Sequence, residues 1–224
     1  MTIEALFCSL SPLRIAELIR SAQRAVCYAA PGIQLNLAQA MVDMAGRLGK
    51  EMLTVSLDFD ERVMRMGYGD IKAVTLLLNA GIAVQSSPGL RTALIVVDNE
   101  GYVFTPTALY LEAEPSDGAA SNAMRMSGEQ VAQALARLSP AAKAIAVAQA
   151  KTPEAKRQIA ALTVDVVSAP ITIAKLAEVT TSLKEVPPVR LSGAASAGVL
   201  ALSAICGTES DRRCYPALPL GDSA

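Results

Sequence analysis

Between residues 25 and 111, short uncharged apolar runs alternate with stretches of helical periodicity, and this alternation restricts the fold more than any other feature of the chain. Ala25–Ala29 (AVCYA), Met52–Leu57 (MLTVSL), Ile82–Val84 and Ala93–Val97 (ALIVV) are too short for buried helices and read as strands. Leu37–Leu48, with Ala40, Met41, Met44 and Leu48 on one face, and Ile71–Asn79 read as the helices between them. A run such as LIVV, with no polar alternation, suits a strand covered on both faces. The pattern predicts an α/β layered domain with a mostly parallel, buried sheet flanked by helices, and Ala93–Val97 as a central strand.

Punctuation sharpens the boundaries. Ser11-Pro12 is a helix start, with Ser as cap and Pro in the first turn. Asn36 and Asp70 read as caps of the next helices, and Gly49 and Ala80-Gly81 as their ends. Residues 61–69 form a looser segment, and Ser86–Gly89 a loop. Asn99-Glu100-Gly101 reads as a tight hairpin into Tyr102–Phe104, and Leu109–Leu111 as one more strand. After Glu114 the character changes. Residues 115–122 (PSDGAASN) are a linker by composition, and Ser127 with Gln130 opens a helix through a capping box. Ser139-Pro140 and Thr152-Pro153 start two more. A fourth, carrying Ile171, Leu176, Val179 and Leu183, ends before Pro187-Pro188. The expected organisation is a domain over 1–114, a helical region over 123–188, and a tail over 191–224.

The tail follows its own rules. It has poor periodicity, is rich in Gly, Ala and Ser, and holds two of the four cysteines. Little of it could offset the entropy of ordering, so a disordered segment is expected. Two origins stay open: a natural Ala-rich tail, or a frameshift near Leu191 that leaves the segment out of frame.

Bulk properties exclude some chemistry. Nonspecific nucleic-acid binding rests on clustered Lys and Arg, and a net charge of −1 with no basic stripe disfavours it, although a local patch would still permit it. With no histidine and no CxxC spacing among Cys8, Cys27, Cys206 and Cys214, a Cys/His zinc site is not expected. No leader pattern opens the chain, and its one borderline apolar run, Leu191–Gly207, is poor in large side chains. The expectation is a cytoplasmic protein with reduced thiols, no membrane association and no cofactor.

One constellation carries a resemblance. Ala80-Gly81-Ile82-Ala83-Val84 is followed by Pro88-Gly89-Leu90-Arg91-Thr92-Ala93, the strand to Val97, Asp98, and the hairpin to Phe104-Thr105. Upstream stand Tyr28 with Pro31, and Leu57-Asp58. Over roughly residues 10–112 the chain resembles the phospholipase D superfamily, whose signature is His-x-Lys, four residues, then Asp. Aligned on the strand, Arg91 occupies the His position, Ala93 the Lys position, and Asp98 matches the Asp. In that family His attacks a phosphodiester and Lys holds the phosphate. Arg91 cannot take the nucleophile's role, because guanidinium stays protonated at any accessible pH, and Ala93 carries no charge. The resemblance leaves Arg91, Asp98 and Thr105 as residual motif or anion-binding residues and implies no catalytic one. Asp98 also suits a plain turn role, and Arg91 a solvated loop position.

Asp58, Asp60 and Glu61 cluster past a strand's C-terminal end, where open α/β sheets place ligands, and three carboxylates there are a candidate Mg²⁺ site. A solvated acidic loop is the plainer reading. The expected function is a noncatalytic phospholipase-D-like binding or scaffold protein that pairs with a protein partner or a second copy. The alternative is a phosphodiesterase or nuclease-related subunit acting with an active partner or a metal.

Overall fold

In order along the chain lie β1 (Phe7–Cys8), α1 (Pro12–Ser21), β2 (Val26–Ala30), α2 (Leu35–Leu48), β3 (Leu53–Leu57), α3 (Glu61–Met66), α4 (Ile71–Asn79), β4 (Val84–Ser86), β5 (Ala93–Val97) and β6 (Glu100–Phe104). Then come β7 (Ala123–Arg125), α5 (Gly128–Leu138), α6 (Pro140–Gln149), α7 (Pro153–Ala161), β8 (Ala169–Pro170) and α8 (Ile173–Glu185). These elements come from a computed structural model that describes residues 5–111 and 121–189. The tail and most of the linker lie outside the described residues.

The fold is α/β, built on one sheet of order β1-β7-β6-β5-β2-β3-β4-β8. The expectation of a mostly parallel sheet is corrected. Only β2–β3 and β3–β4 pair in parallel, and the remaining pairings are antiparallel, so the sheet is mixed. Chain length is the cause. A parallel connection needs a crossover of about a dozen residues or more. Only residues 87–92 join β4 to β5. They must cross three strand spacings, about 14 Å, and their extended reach is about 20 Å. The chain therefore re-enters the sheet at the end it left, and β5 runs against β2, with Tyr28 opposite Ile95.

Both faces are covered where the apolar runs predicted. All five residues of β2, β3 and β5 are buried. Alternation sends Val26, Tyr28, Ile95 and Val97 into one core with α1, α2 and α4, and Cys27, Ala29, Leu94 and Val96 into another with α5 and α6. Residues 123–188, read from sequence as a helical region, also supply β7 and β8 to this sheet and cover its second face with α5 and α6. Residues 61–66 are helical rather than loose, with Asp60 accepting from Arg62 N at 2.8 Å as cap, and residues 109–111 form a turn rather than a strand.

Most caps stand where the sequence put them. Ser11, Asp70, Ser127, Ser139 and Thr152 each accept a backbone N–H, and the Ser127–Gln130 box is reciprocal. The exception is α2, which starts two residues early, with Gln34 rather than Asn36 in the cap position. The hairpin turn is also one residue off: Asp98 and Asn99 form it, and Gly101 lies inside β6. A Cβ on Gly101 would come within 2.5 Å of Val131 Cγ2, so this glycine serves the approach of α5 to the sheet rather than the turn.

Candidate functional site

The end of the sheet where β2, β3 and β4 finish is built by the crossing segment 87–92. Ser87-Pro88-Gly89-Leu90 forms a type II turn, closed by Leu90 N donating to Ser87 O at 3.2 Å. Proline fits its second position, and glycine its third at φ +80°. Arg91 follows directly, above the end of β3. There it meets Asp58, whose carboxylate Oδ2 lies 3.3 Å from Arg91 Nη2. The two ends of this pair differ in setting: the Asp58 side chain is 6% exposed and that of Arg91 is 55%. A carboxylate so buried needs a cation, and Arg91 supplies it from the solvent side.

Thr105 and Asp98 part company. Thr105 lies at the same end as Arg91, because Phe104 pairs with Ala93, and it is exposed. Asp98 lies at the opposite end of β5. Its side chain accepts hydrogen bonds from Gln23 N at 2.9 Å, Arg24 N at 2.7 Å and Ala25 N at 3.1 Å. Its backbone has φ +55°, a left-handed conformation that Asp tolerates better than most residues. Asp98 thus pins the α1–β2 loop to the β5–β6 hairpin and does not share a site with Arg91.

Nor do the three carboxylates converge. Asp58 is paired with Arg91, Asp60 caps α3, and Glu61 accepts from Ser182 Oγ on α8 while lying 3.9 Å from Arg65. Among the described residues no group of three or more His, Cys, Asp or Glu side chains is arranged to hold a metal ion. Beside Asp58, β3 and the crossing segment carry two buried hydroxyls, Ser56 Oγ and Ser87 Oγ, without hydrogen-bond partners among the described residues.

Next to Arg91, among the described residues, no helix covers the second face of the sheet. Leu94 lies under α5, but the row that continues from it across the strands, Val103, Met124 and Phe7, is exposed. Phe7 is 59% exposed, Met124 44% and Val103 36%. With Arg91, Thr92 and Thr105 they line a shallow recess of about 430 Å³. This row is not legible in the sequence, because β1 and β7 are too short to show periodicity and Met124 sits between a linker and a capping box.

The described cysteines are free thiols. Burial pushes Cys27 up to about 12 and raises Cys8 as well, so neither has the thiolate character a nucleophile needs. Tyr28 is also raised by burial, and its hydroxyl donates to Gly32 O at 2.9 Å. Among the described residues no helix is long and apolar enough to cross a membrane.

Known protein families, curated proteins and solved structures yield no match to this chain.

Proposed function

We propose that the protein is a noncatalytic binding or scaffold protein built on a phospholipase-D-like domain. The loop, central strand and tight hairpin that hold Arg91 at one end and Asp98 at the other support the family reading. The observation that carries the functional one is the Arg91–Asp58 pair. Where the family keeps its nucleophile, this chain has a guanidinium that cannot lose its proton and whose charge is committed to a buried carboxylate. With no histidine anywhere in the chain, a second copy cannot supply one either.

Binding is assigned to the open row of Val103, Met124 and Phe7. Exposed apolar side chains scattered singly mean little, but a contiguous row next to a rim of Arg and Thr has the composition of an interaction surface. The partner is a protein, either a second copy or another chain. Purified protein should hydrolyse an aryl phosphodiester only at the background rate, with or without Mg²⁺ or Mn²⁺. A photo-crosslinking residue at Val103 should give a crosslinked protein product, and one at Lys156, on the outer surface of α7, should not. Turnover that depends on Arg91, or equal crosslinking from both positions, would refute the assignment.

A further inference from the structure

The sheet has two edge strands, β1 and β8, and they are finished differently. At the β8 edge Ile171 N donates to Val84 O at 2.8 Å, and Pro170 stands opposite Gln85. Bonded and non-bonded positions alternate in an antiparallel ladder, so Pro170 is the residue whose N–H would point away from the sheet. Proline has no N–H, and this edge offers no outward donor there. At the β1 edge Arg125 N donates to Leu6 O at 3.0 Å, and Phe7 stands opposite Met124. Phe7 thus holds the position equivalent to Pro170, with its N–H and C=O turned outward. Among the described residues nothing pairs with them. Leu6 and Phe7, on opposite faces of the strand, are both more than half exposed. From Ala5 to Ser9 the chain carries no charge and no proline, two of the devices that protect an edge.

We propose that β1 is a dimerisation edge, pairing antiparallel with β1 of a second copy about a twofold axis at Phe7. The inference rests on the reading above that the partner is a protein, and says which one. Backbone and charge decide the occupant. Outward N–H and C=O groups are met by an extended strand. An uncharged strand suits this one, since a charged peptide would find no opposite charge along Ala5–Ser9. The chain's own β1 meets both conditions. Antiparallel pairing centred on Phe7 lets its N–H and C=O bond to those of its copy, a self-complementary contact that closes as a dimer. Phe7 then lies beside Phe7 of the second copy, and the row of Val103, Met124 and Phe7 runs on into its twofold equivalent. On the other face Leu6 lies beside Cys8 of the second copy, large against small. One strand pair buries less than the roughly 1,200 Å² of a standard interface, so the dimer is concentration dependent.

The test uses the full chain. Sedimentation over a concentration series should show a monomer–dimer equilibrium. Phe7→Pro copies the device of the β8 edge and, because β7 does not use the Phe7 N–H, should melt close to the wild type. It should weaken the dimer by about tenfold or more, the value of two backbone hydrogen bonds. Phe7→Ala keeps the N–H and should weaken it less. A disulfide reads the register directly. Leu6 and Cys8 of the second copy form a non-hydrogen-bonded pair with Cα atoms about 4.5 Å apart, within bridging range. With Cys206→Ser and Cys214→Ser in the background, mild oxidation of Leu6→Cys should link position 6 to Cys8 of the second copy. Ile173→Cys, exposed beside the opposite edge, should form no such link. The proposal fails if the wild type stays monomeric at every concentration, or if Phe7→Pro weakens association no more than Phe7→Ala does. It also fails if both introduced thiols link to Cys8 alike. Crosslinking from Val103 without the link from position 6 to Cys8 sinks the edge and leaves the row assignment standing, and the link without crosslinking from Val103 does the reverse.

Discussion

Replacing Asp98 by Ala separates the two roles that an Asp in this position can have. The substitution removes the acceptor of three backbone N–H groups, those of Gln23, Arg24 and Ala25. Hydrogen bonds to a charged group contribute about 1.5–3 kcal/mol each when water cannot replace them. Gln23 and Arg24 are exposed, so water recovers most of their loss, leaving about 0.5 kcal/mol apiece. Ala25 is 5% exposed, and its stranded donor costs about 1–2 kcal/mol. Ala at φ +55° adds about 1 kcal/mol of backbone strain. The total is about 3–4 kcal/mol, or roughly 6–16 °C in Tm for a unit of this size. Asp98→Gly relieves the strain and should cost about 1 kcal/mol less than Ala. Asp98→Asn keeps the left-handed preference and one accepting oxygen, and should be the mildest of the three. Differential scanning calorimetry gives the order directly. If the Ala variant melts within about 2 °C of the wild type, or if all three variants melt alike, Asp98 is not the pin described, and a ligand role for it regains ground.

Other perturbations follow from the same geometry. Ile95→Asp puts an unpaired carboxylate into a fully buried position of the central strand and should abolish cooperative melting; a soluble variant with a sharp transition would contradict the placement of β5. Arg91→Ala strands the buried Asp58 carboxylate and should cost about 1–2 kcal/mol, less than a fully buried pair because the guanidinium is half exposed. Asp58→Asn in the same chain should recover much of that loss, and purely additive effects in urea unfolding would mean that the two side chains do not interact. Cys27, held neutral in the fold with its thiol pushed up to about 12, contributes stability that is complete below about pH 8.5, the unfolded value, and is lost progressively as pH rises toward 12. Between pH 8 and pH 10 the wild type should therefore lose about 2 kcal/mol more than Cys27→Ala, and equal alkaline losses in the two proteins would refute the burial argument.

Much of the architecture is written locally. Three of the four uncharged runs became strands buried on both faces, whereas Ile82–Val84 gives only Val84 to β4, and five Ser, Thr or Asp caps hold their helices because each bonds to a backbone group within three residues of itself. The Pro88-Gly89 turn is legible for the same reason: its two residues have the backbone preferences a type II turn requires. Tertiary structure decided what no short window contains. The direction of β5 came from the span that residues 87–92 had to cross, and the place of Gly101 from the approach of Val131 on α5. The candidate site depended on the same kind of information. Arg91 and Asp98 are close in sequence, yet a single extended strand sets them at opposite ends of the sheet. Each then takes a partner that is remote in sequence, Asp58 for the first and the loop before β2 for the second. The open row of Phe7, Val103 and Met124 exists only through cross-strand register. The periodicity of a chain tells which residues share a face of one element, while the neighbour on the next strand is fixed by how the whole sheet is strung.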